Sequence, residues 1–130
     1  MQALYQWQLT GQEPAQIIAQ FQEEQDMERA DVAYFQELLQ QIPARLETID
    51  DSFASFLDRP LQQVDPVELA ILRIGAYELA WRRDVPYRVV INEAVEIAKK
   101  FGAEQGHRFV NGVLDKLARA ARSVEFVAPS

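Results

Sequence analysis

Two glutamates spaced three residues apart, Glu93 and Glu96, are the best candidates in this chain for a catalytic or metal-binding carboxylate pair. On a helix this spacing places both side chains on one face, where they could exchange a proton or hold a cation. Lys99 and Lys100 follow Glu96 at three and four residues, which is typical of an ion-paired, solvent-exposed helix face. We therefore favour an exposed ion-paired face over a catalytic pair.

Other common catalytic and metal-binding groups are scarce. The chain has no cysteine and one histidine, His107, so it can form no disulfide, no thiolate metal site and no site of several imidazoles. It also lacks a Ser-His-Asp order and a glycine-rich phosphate loop. We expect a protein that is not an enzyme and that holds no metal or cofactor, and we favour a structural role for His107.

The distribution of charge bears on nucleic-acid binding. The 130 residues carry a formal net charge of −7, but residues 1–60 hold 11 acidic and 3 basic side chains, whereas residues 61–130 hold 9 acidic and 10 basic ones. Affinity for nucleic acids comes mainly from Lys and Arg contacts to phosphate. A polyanion would approach the second half, and tight RNA binding would need a partner or further basic sequence.

Basic and aromatic side chains that could contact RNA lie mainly near a turn at residues 84–86. Aromatic rings can stack on unpaired bases, but most such rings pack in cores and most surface basic groups are simply solvated. The basic candidates are Arg82, Arg83, Arg88, Lys99, Lys100, Arg108, Lys116, Arg119 and Arg122, and the aromatic ones are Tyr5, Trp7, Tyr77, Trp81 and Tyr87.

Hydrophobic periodicity sets the fold class. Apolar residues recur every three to four positions along most of the chain, and no segment alternates as a strand does. We predict an all-α fold, a compact bundle of about six or seven helices in two subbundles within one domain of residues 1–130. Residues 1–60 would form the N-terminal subbundle with most of the longest helix, 61–123 the C-terminal subbundle and 124–130 a tail.

Local signals predict individual helix boundaries. Residues 2–9 read as helix interior with no capping residue ahead of them, so the chain starts in mid-helix. The longest apolar period runs over residues 32–56 and contains Pro43. We expect a kink or a break near residues 40–43, and we favour a kink because the period continues in phase across the proline. The sequence Asp-Pro-Val-Glu at 65–68 supplies a cap and a first-turn proline for a helix over about residues 66–82.

Asn111 and Gly112 are unusual inside the last helical pattern. Glycine there costs on the order of 1 kcal/mol relative to alanine, and asparagine is also a poor helix former. We predict structural roles for both: a close helix approach at Gly112 and a hydrogen-bonding role for Asn111. Core packing alone could also explain the glycine.

No run of about 18 apolar residues is present, and the N-terminus lacks the order of a secretory signal. We expect a cytoplasmic protein.

Five segments together resemble the NusB family of bacterial transcription antitermination factors. The most specific are Asn-Glu-Ala at 92–94 and Phe-Val-Asn-Gly-Val-Leu-Asp at 109–115. The resemblance spans almost the whole chain, with the motifs in the family's order and spacing. The five segments are residues 2–9, 72–79, 84–87, 91–99 and 109–115.

This resemblance implies an all-helical fold of two subbundles that pairs with NusE, a small-subunit ribosomal protein. The pair would bind boxA RNA of ribosomal RNA transcripts and help RNA polymerase read through terminators. It implies partner-binding roles for Tyr5, Glu78 and Asp115, where a carboxylate could accept from an arginine or a base amine. The candidate RNA-binding residues are Gln2, Tyr5, Arg82, Arg88, Lys99 and Asp115.

One departure and two alternatives accompany the resemblance. NusB proteins usually carry an arginine-rich segment before the Ala-Leu-Tyr helix, so we expect a truncated chain or a misassigned start, with weakened RNA affinity. The chain could instead be a fragment of a ribosomal RNA cytosine methyltransferase, whose catalytic domain and cysteine it lacks. It could also be a helical homo-oligomerisation module without an RNA role, and the sequence leaves a homodimer open.

Overall fold

The structure is a computed structural model that describes residues 1–24 and 29–123, with side chains for 1–22 and 32–123. This part of the chain forms seven α-helices and one short 3₁₀ helix, and it contains no strand, so the all-α prediction is confirmed. The predicted tail at 124–130 lies outside the described residues. The helices are α1 (Gln2–Thr10), α2 (Pro14–Glu24), α3 (Arg29–Ala44), α4 (Leu46–Ala54), the 3₁₀ helix (Leu61–Gln63), α5 (Pro66–Trp81), α6 (Tyr87–Phe101) and α7 (Gly106–Ala121).

Helix α5 is the centre of the molecule. The Asp65 carboxylate accepts a hydrogen bond of 3.2 Å from the backbone N–H of Glu68, and Pro66 occupies the first turn, which confirms the predicted start. Apolar residues on several faces of α5, such as Ile71 and Leu79, are at most 1% exposed. The helix is surrounded by α6 and α7 on one side and by α1, α3 and α4 on the other.

The first three helices share a smaller apolar cluster beside this core. Ala3, Ile17, Ile18 and Leu39 bring α1, α2 and α3 together. Helix α1 also packs on α5, whereas α4 packs on α5 and α7. The division of the chain into subbundles at residue 60 stays a prediction.

The helical pattern is divided into two helices after Pro43, which is the break that we considered and not the kink that we favoured. Helix α3 ends at Ala44, and Arg45 leaves the helical region with φ −117° and ψ 21° before α4 begins. Proline lacks a backbone N–H and its ring clashes with the carbonyl four residues earlier, which weakens the last turns of α3. The N–H of Arg45 still donates to the carbonyl of Gln41 at 3.0 Å, so the interruption lies in the backbone angles of Arg45 itself. The break still leaves Ile42 and Ile49 in the main core, at 0% and 1% exposure.

Within the described ranges, no helix combines the length and hydropathy needed to cross a bilayer.

Candidate functional site

Glu78 lies on α5 in a polar contact with α3. Its side chain is 7% exposed, and its carboxylate accepts a hydrogen bond from the hydroxyl of Tyr34. Burial raises the pKa of Glu78, the hydrogen bond from Tyr34 opposes that rise, and the nearby charge of Glu93 adds to it. Burial and the bond to Glu78 likewise raise the pKa of Tyr34. Glu78 is therefore a buried carboxylate, with little surface of its own to offer a partner.

A second tyrosine–glutamate pair crosses the same interface in the opposite sense. The hydroxyl of Tyr77 donates to Glu37 at 2.6 Å. Burial and, to a smaller extent, this hydrogen bond raise the pKa of Tyr77 to about 12. Arg82 also donates to Glu37, at 2.8 Å, and its guanidinium lies 5.1 Å from the ring centroid of Tyr34. We call these residues the α3–α5 cluster: Tyr34, Glu37, Tyr77, Glu78 and Arg82.

The cluster includes three of the residues singled out from the sequence: Tyr77, Glu78 and Arg82. Trp81 stacks on Tyr77 with ring centroids 5.6 Å apart, and Arg122 donates to the backbone carbonyls of Glu78 and Arg82. Within the described part of the chain, no hydrogen bond, ion pair or ring contact joins the remaining candidate site residues to the cluster. Their positions are as follows: Gln2 is exposed at the start of α1, Tyr5 packs half-buried against the main core, Arg88 donates to the hydroxyl of Tyr87 at 3.1 Å, Lys99 lies 3.5 Å from Glu96, and Asp115 pairs with Arg119 at 3.1 Å.

The Glu93 and Glu96 side chains are both exposed on α6, and Glu96 pairs with Lys99 as the spacing predicted. Among the described residues, no three His, Asp or Glu side chains come together in a way that could hold a metal ion.

The close approach predicted at Gly112 is wrong. A Cβ placed on Gly112 would meet no atom within 4 Å, because this position of α7 faces open space. Asn111 is exposed too, and its side chain has no hydrogen-bond partner in residues 1–24 and 29–123. The described structure therefore contains neither the close helix contact predicted for Gly112 nor the hydrogen bond predicted for Asn111. No contact within it offsets the loss of helix stability that a glycine causes at this position.

The tight glycine of α7 is Gly106, at the start of the helix. A Cβ there would lie 2.9 Å from the carboxyl carbon of Glu68, which is 5% exposed. Burial, followed by the charge of Asp65, raises the pKa of Glu68. The close helix contact is therefore made six residues earlier than the sequence indicated.

Gly112 borders a surface groove that sequence reasoning missed. The groove lies between the segment that follows α4 and helix α7, and the guanidinium of Arg59 lies 4.6 Å from the ring centroid of Phe109, one of the residues that line the groove. A neighbouring hollow continues past Phe109 to Glu68 and Gly106. We call the first of these the Phe109 groove, lined by Phe56, Asp58, Arg108, Phe109, Gly112, Val113 and Lys116.

Phe56 and Phe109 were missed because their spacing places both on apolar helix faces, and a half-buried edge cannot be told from a buried one by period alone. The groove could have been suspected from two basic residues, Arg108 and Lys116, because each lies four residues from Gly112 and therefore on the same helix face.

One residue of the basic group, Arg122, is not a surface cation. It is 2% exposed, and its guanidinium donates to backbone carbonyls at the end of α5, including Leu79 O at 3.0 Å. The Arg122 guanidinium therefore binds carbonyl groups inside the protein and is not available to contact RNA.

Comparisons with known proteins agree on one family. The model of the NusB family matches residues 1–119. The transcription antitermination protein NusB of Nitrosococcus oceani is 57% identical over 97% of this chain and 84% of its own length, and that of Shewanella halifaxensis is 53% identical over 94% and 90%.

Two solved structures are similar in fold. T. maritima NusB superposes with a TM-score of 0.84 at 30% identity, over 98% of this chain and 91% of that one. A crystal structure of antitermination factors NusB and NusE in complex with dsRNA matches with a TM-score of 0.82 at 27% identity, over 91% of this chain and 89% of the matched one.

Proposed function

The chain belongs to the NusB family of transcription antitermination proteins, and from this premise we propose how it works. It acts as an adaptor that pairs with the ribosomal protein NusE and holds the boxA RNA of a ribosomal RNA transcript. The combined complex then joins RNA polymerase and promotes read-through of terminators. The described helices contribute binding surfaces to this task and no catalytic group.

The observation that carries the RNA part of the proposal is the open face of Gly112. A glycine inside an exposed helix costs about 1 kcal/mol, and this one relieves no clash within the described chain. A missing side chain does allow the backbone of another molecule to come close. The position lies between Arg108 and Lys116, which can contact phosphates, and beside two phenylalanine rings that can stack on bases.

The remaining candidates keep their proposed roles. Gln2, Arg88 and Lys99 are exposed and available to RNA, whereas Arg82 would have to leave its ion pairs with Glu37 and Asp84. Tyr5, Glu78 and Asp115 are the proposed contacts with NusE, and Tyr5 and Asp115 are also proposed to touch RNA. Because Glu78 is 7% exposed, a partner would reach it only through the cavity that it lines.

The two alternatives have less support. The relatives that match 84% and 90% of their own length carry the NusB name, which does not favour a fragment of a methyltransferase. Among the residues whose side chains are described, the large exposed apolar ones are Leu9, Trp81, Val89 and Phe101, which lie on three different helices and do not point to a self-complementary oligomerisation face.

Charge-removal variants test the groove. We expect Arg108→Ala and Lys116→Ala each to weaken binding of boxA RNA several-fold, because each removes a phosphate contact worth roughly 1 kcal/mol. Lys100→Ala, an exposed lysine on α6 outside the groove, is the matched control and should change the affinity little. Fluorescence anisotropy with labelled boxA RNA, in the presence of NusE, measures all three. Equal losses at Lys100 and Lys116 would show that binding is diffuse and that the groove is not the RNA site.

A further inference from the structure

Arg73 is a buried cation in the middle of α5. It is 7% exposed, and it binds the Asp50 carboxylate of α4 through two hydrogen bonds, from Nε and Nη2, that are both 2.9 Å long. A buried guanidinium has further N–H groups, and each one without an acceptor destabilises the folded state. Arg73 therefore needs an acceptor besides Asp50.

Gln8 of α1 supplies this acceptor and makes a second bond with the other atom of its amide. Its Oε1 accepts from Nη1 of Arg73 at 2.9 Å, and its Nε2 donates to the backbone carbonyl of Pro66 in the first turn of α5, also at 2.9 Å. A carboxylate at this position would have no donor for Pro66, and an aliphatic side chain would have neither group. We call Gln8, Asp50, Arg73 and the carbonyl of Pro66 the Gln8 bridge.

The Gln8 bridge lies at the less buried half of α1. The buried residues of α1 are Ala3 and Leu4, near its start, whereas Leu9 near its end is 57% exposed. The two hydrogen bonds of Gln8 attach this second half to α5, and Asp50 extends the attachment to α4. The bridge therefore joins three helices.

Tyr5 lies three residues before Gln8, and residues at this spacing share one face of a helix. Tyr5 is half-buried against the main core and is one of the proposed contacts with NusE and RNA. Any rotation of α1 on α5 would turn the Tyr5 side chain away from its partner. The bonds that fix Gln8 therefore also fix the direction of Tyr5.

Positioning fits a buried ion pair better than a large contribution to stability does. Both charges lose water on burial, so the net stabilisation by such a pair is small, and the best-attested role of buried polar groups is to specify one arrangement of helices. An element that is held in its bound orientation before binding also loses less conformational entropy when the partner arrives.

We propose that Gln8 is a positioning residue: held by Arg73 and Asp50, it fixes α1 on α5 so that Tyr5 meets its partner in one orientation. The inference rests on the proposed function, because it explains how a proposed contact is held in place. Gln8 itself is assigned no contact with RNA or NusE, since both polar atoms of its amide are already bonded within the protein.

The test compares Gln8→Met with the wild type, because methionine keeps the length of the side chain and removes both hydrogen bonds. We expect the variant to bind boxA RNA in the presence of NusE about fivefold to tenfold more weakly. Gln6→Met is the matched control on the same helix, since Gln6 bonds to Gln12 and Gln20 and not to α5. Fluorescence anisotropy measures all three proteins, and equal affinities in the two variants would overturn the proposal.

A double-mutant cycle with Tyr5→Ala separates positioning from a general loss of stability. If Gln8 acts through Tyr5, then Gln8→Met should weaken binding much less in the Tyr5→Ala background than in the wild type. The same fold-loss in both backgrounds would show that the two residues act independently and would contradict the positioning role.

If Gln8→Met folds poorly, Gln8→Glu keeps the test decisive. Glutamate retains an acceptor for Arg73 and loses the donor to Pro66, so binding should weaken by about threefold. Native-state hydrogen exchange should show reduced protection of α1 amides in this variant and unchanged protection of α7. Wild-type affinity in Gln8→Glu would overturn the proposal.

Failure of the proposed function gives a different result. A wild-type chain that binds neither NusE nor boxA RNA would refute that function and the positioning role together. Normal binding by the wild type and by both Gln8 variants would refute the positioning role alone.

Discussion

Arg122 stabilises the end of α5 from inside the protein. Its guanidinium donates to the carbonyl oxygens of Glu78 and Arg82 at 2.9 Å, of Leu79 at 3.0 Å, and also of Val85. Carbonyls at a helix C-terminus lack intrahelical donors and form the negative end of the helix dipole. The carbonyls of Glu78 and Arg82 also accept from the backbone N–H groups of Arg82 and Val85, whereas those of Leu79 and Val85 have no backbone donor among the described residues. One planar cation thus supplies a donor to these last two carbonyls, and it ties the end of α7 to the turn before α6.

Arg122→Ala should lower the free energy of unfolding by about 2–4 kcal/mol, because it leaves the carbonyls of Leu79 and Val85 without a donor and removes one of the two donors to the carbonyls of Glu78 and Arg82. Arg122→Lys should recover only part of this loss, since an ammonium group cannot reach the same set of acceptors. Urea denaturation followed by circular dichroism measures both, with Arg119→Ala as control because that side chain is 62% exposed. Equal effects at residues 119 and 122 would contradict the capping role.

Glu78 should make stability depend on pH. Its pKa is raised in the folded state, so the folded state favours the protonated form, and the stability this provides is lost as pH rises through the folded pKa. Glu78→Gln keeps an acceptor for Tyr34 and removes the charge. Its melting temperature should therefore exceed that of the wild type at pH 8, and the difference should shrink toward pH 4. A difference that grows toward pH 4 would show that the charged carboxylate is the stabilised form.

At the scale of one helix, α7 has one buried apolar face and one exposed polar face. Val110, Val113, Leu114 and Leu117 are buried against α5 and α6, at no more than 4% exposure. The outward face carries Gly112 among polar and basic residues. The buried face stabilises α7 by packing. The exposed face carries Asn111 and Gly112, which are poor helix formers, and we assign Gly112 to binding.

Gly112→Ala should have opposite effects on stability and on RNA binding. Alanine fits the open space and is the better helix former, so the free energy of unfolding should rise by about 0.5–1 kcal/mol. The added methyl group should weaken binding of boxA RNA, because it occupies the space that we assign to the ligand. The reverse change on an exposed position of the same helix, Ala120→Gly, should lower stability and leave RNA affinity intact. RNA affinity unchanged in the Gly112 variant would remove that residue from the site.

The sequence predicted some elements better than others for physical reasons. The start of α5 follows from local chemistry, because its cap, proline and acidic residue act within one turn. A kink was favoured over a break near Pro43 because the apolar period continues in phase across the proline. The interruption lies in the backbone angles of Arg45, which the apolar period does not reveal. The roles of Gly112 and Arg122 depend on what lies across from them in space, which periodicity along one chain does not contain.

Over the whole molecule, acidic residues dominate the first half and the basic ones gather in the second. The Phe109 groove combines both parts of the chain, with Phe56 and Asp58 from the first and the basic residues of α7 from the second. Its cations are few: Arg108 and Lys116 line it, and Arg59 lies over Phe109. RNA affinity of the chain alone should therefore be modest, and under the proposed function the partner protein would supply the rest.

The salt dependence of RNA binding should reflect this small number of cations. Three contacts to phosphates of a single strand give a slope of about −2 for log affinity against log salt concentration. The slope is measured by anisotropy titrations of the chain alone at salt concentrations from about 50 to about 200 mM. A slope of about −5 or steeper would mean that many further basic residues take part and that the groove is only a fraction of the site.

The most direct test of the account measures the affinity for labelled boxA RNA with and without NusE, against a scrambled RNA of equal length. The adaptor role predicts that NusE tightens binding of boxA RNA by about tenfold or more and that the scrambled RNA gains much less. If NusE leaves the affinity for boxA RNA unchanged, or raises it equally for both RNAs, the chain does not work by joining a ribosomal protein to a specific transcript.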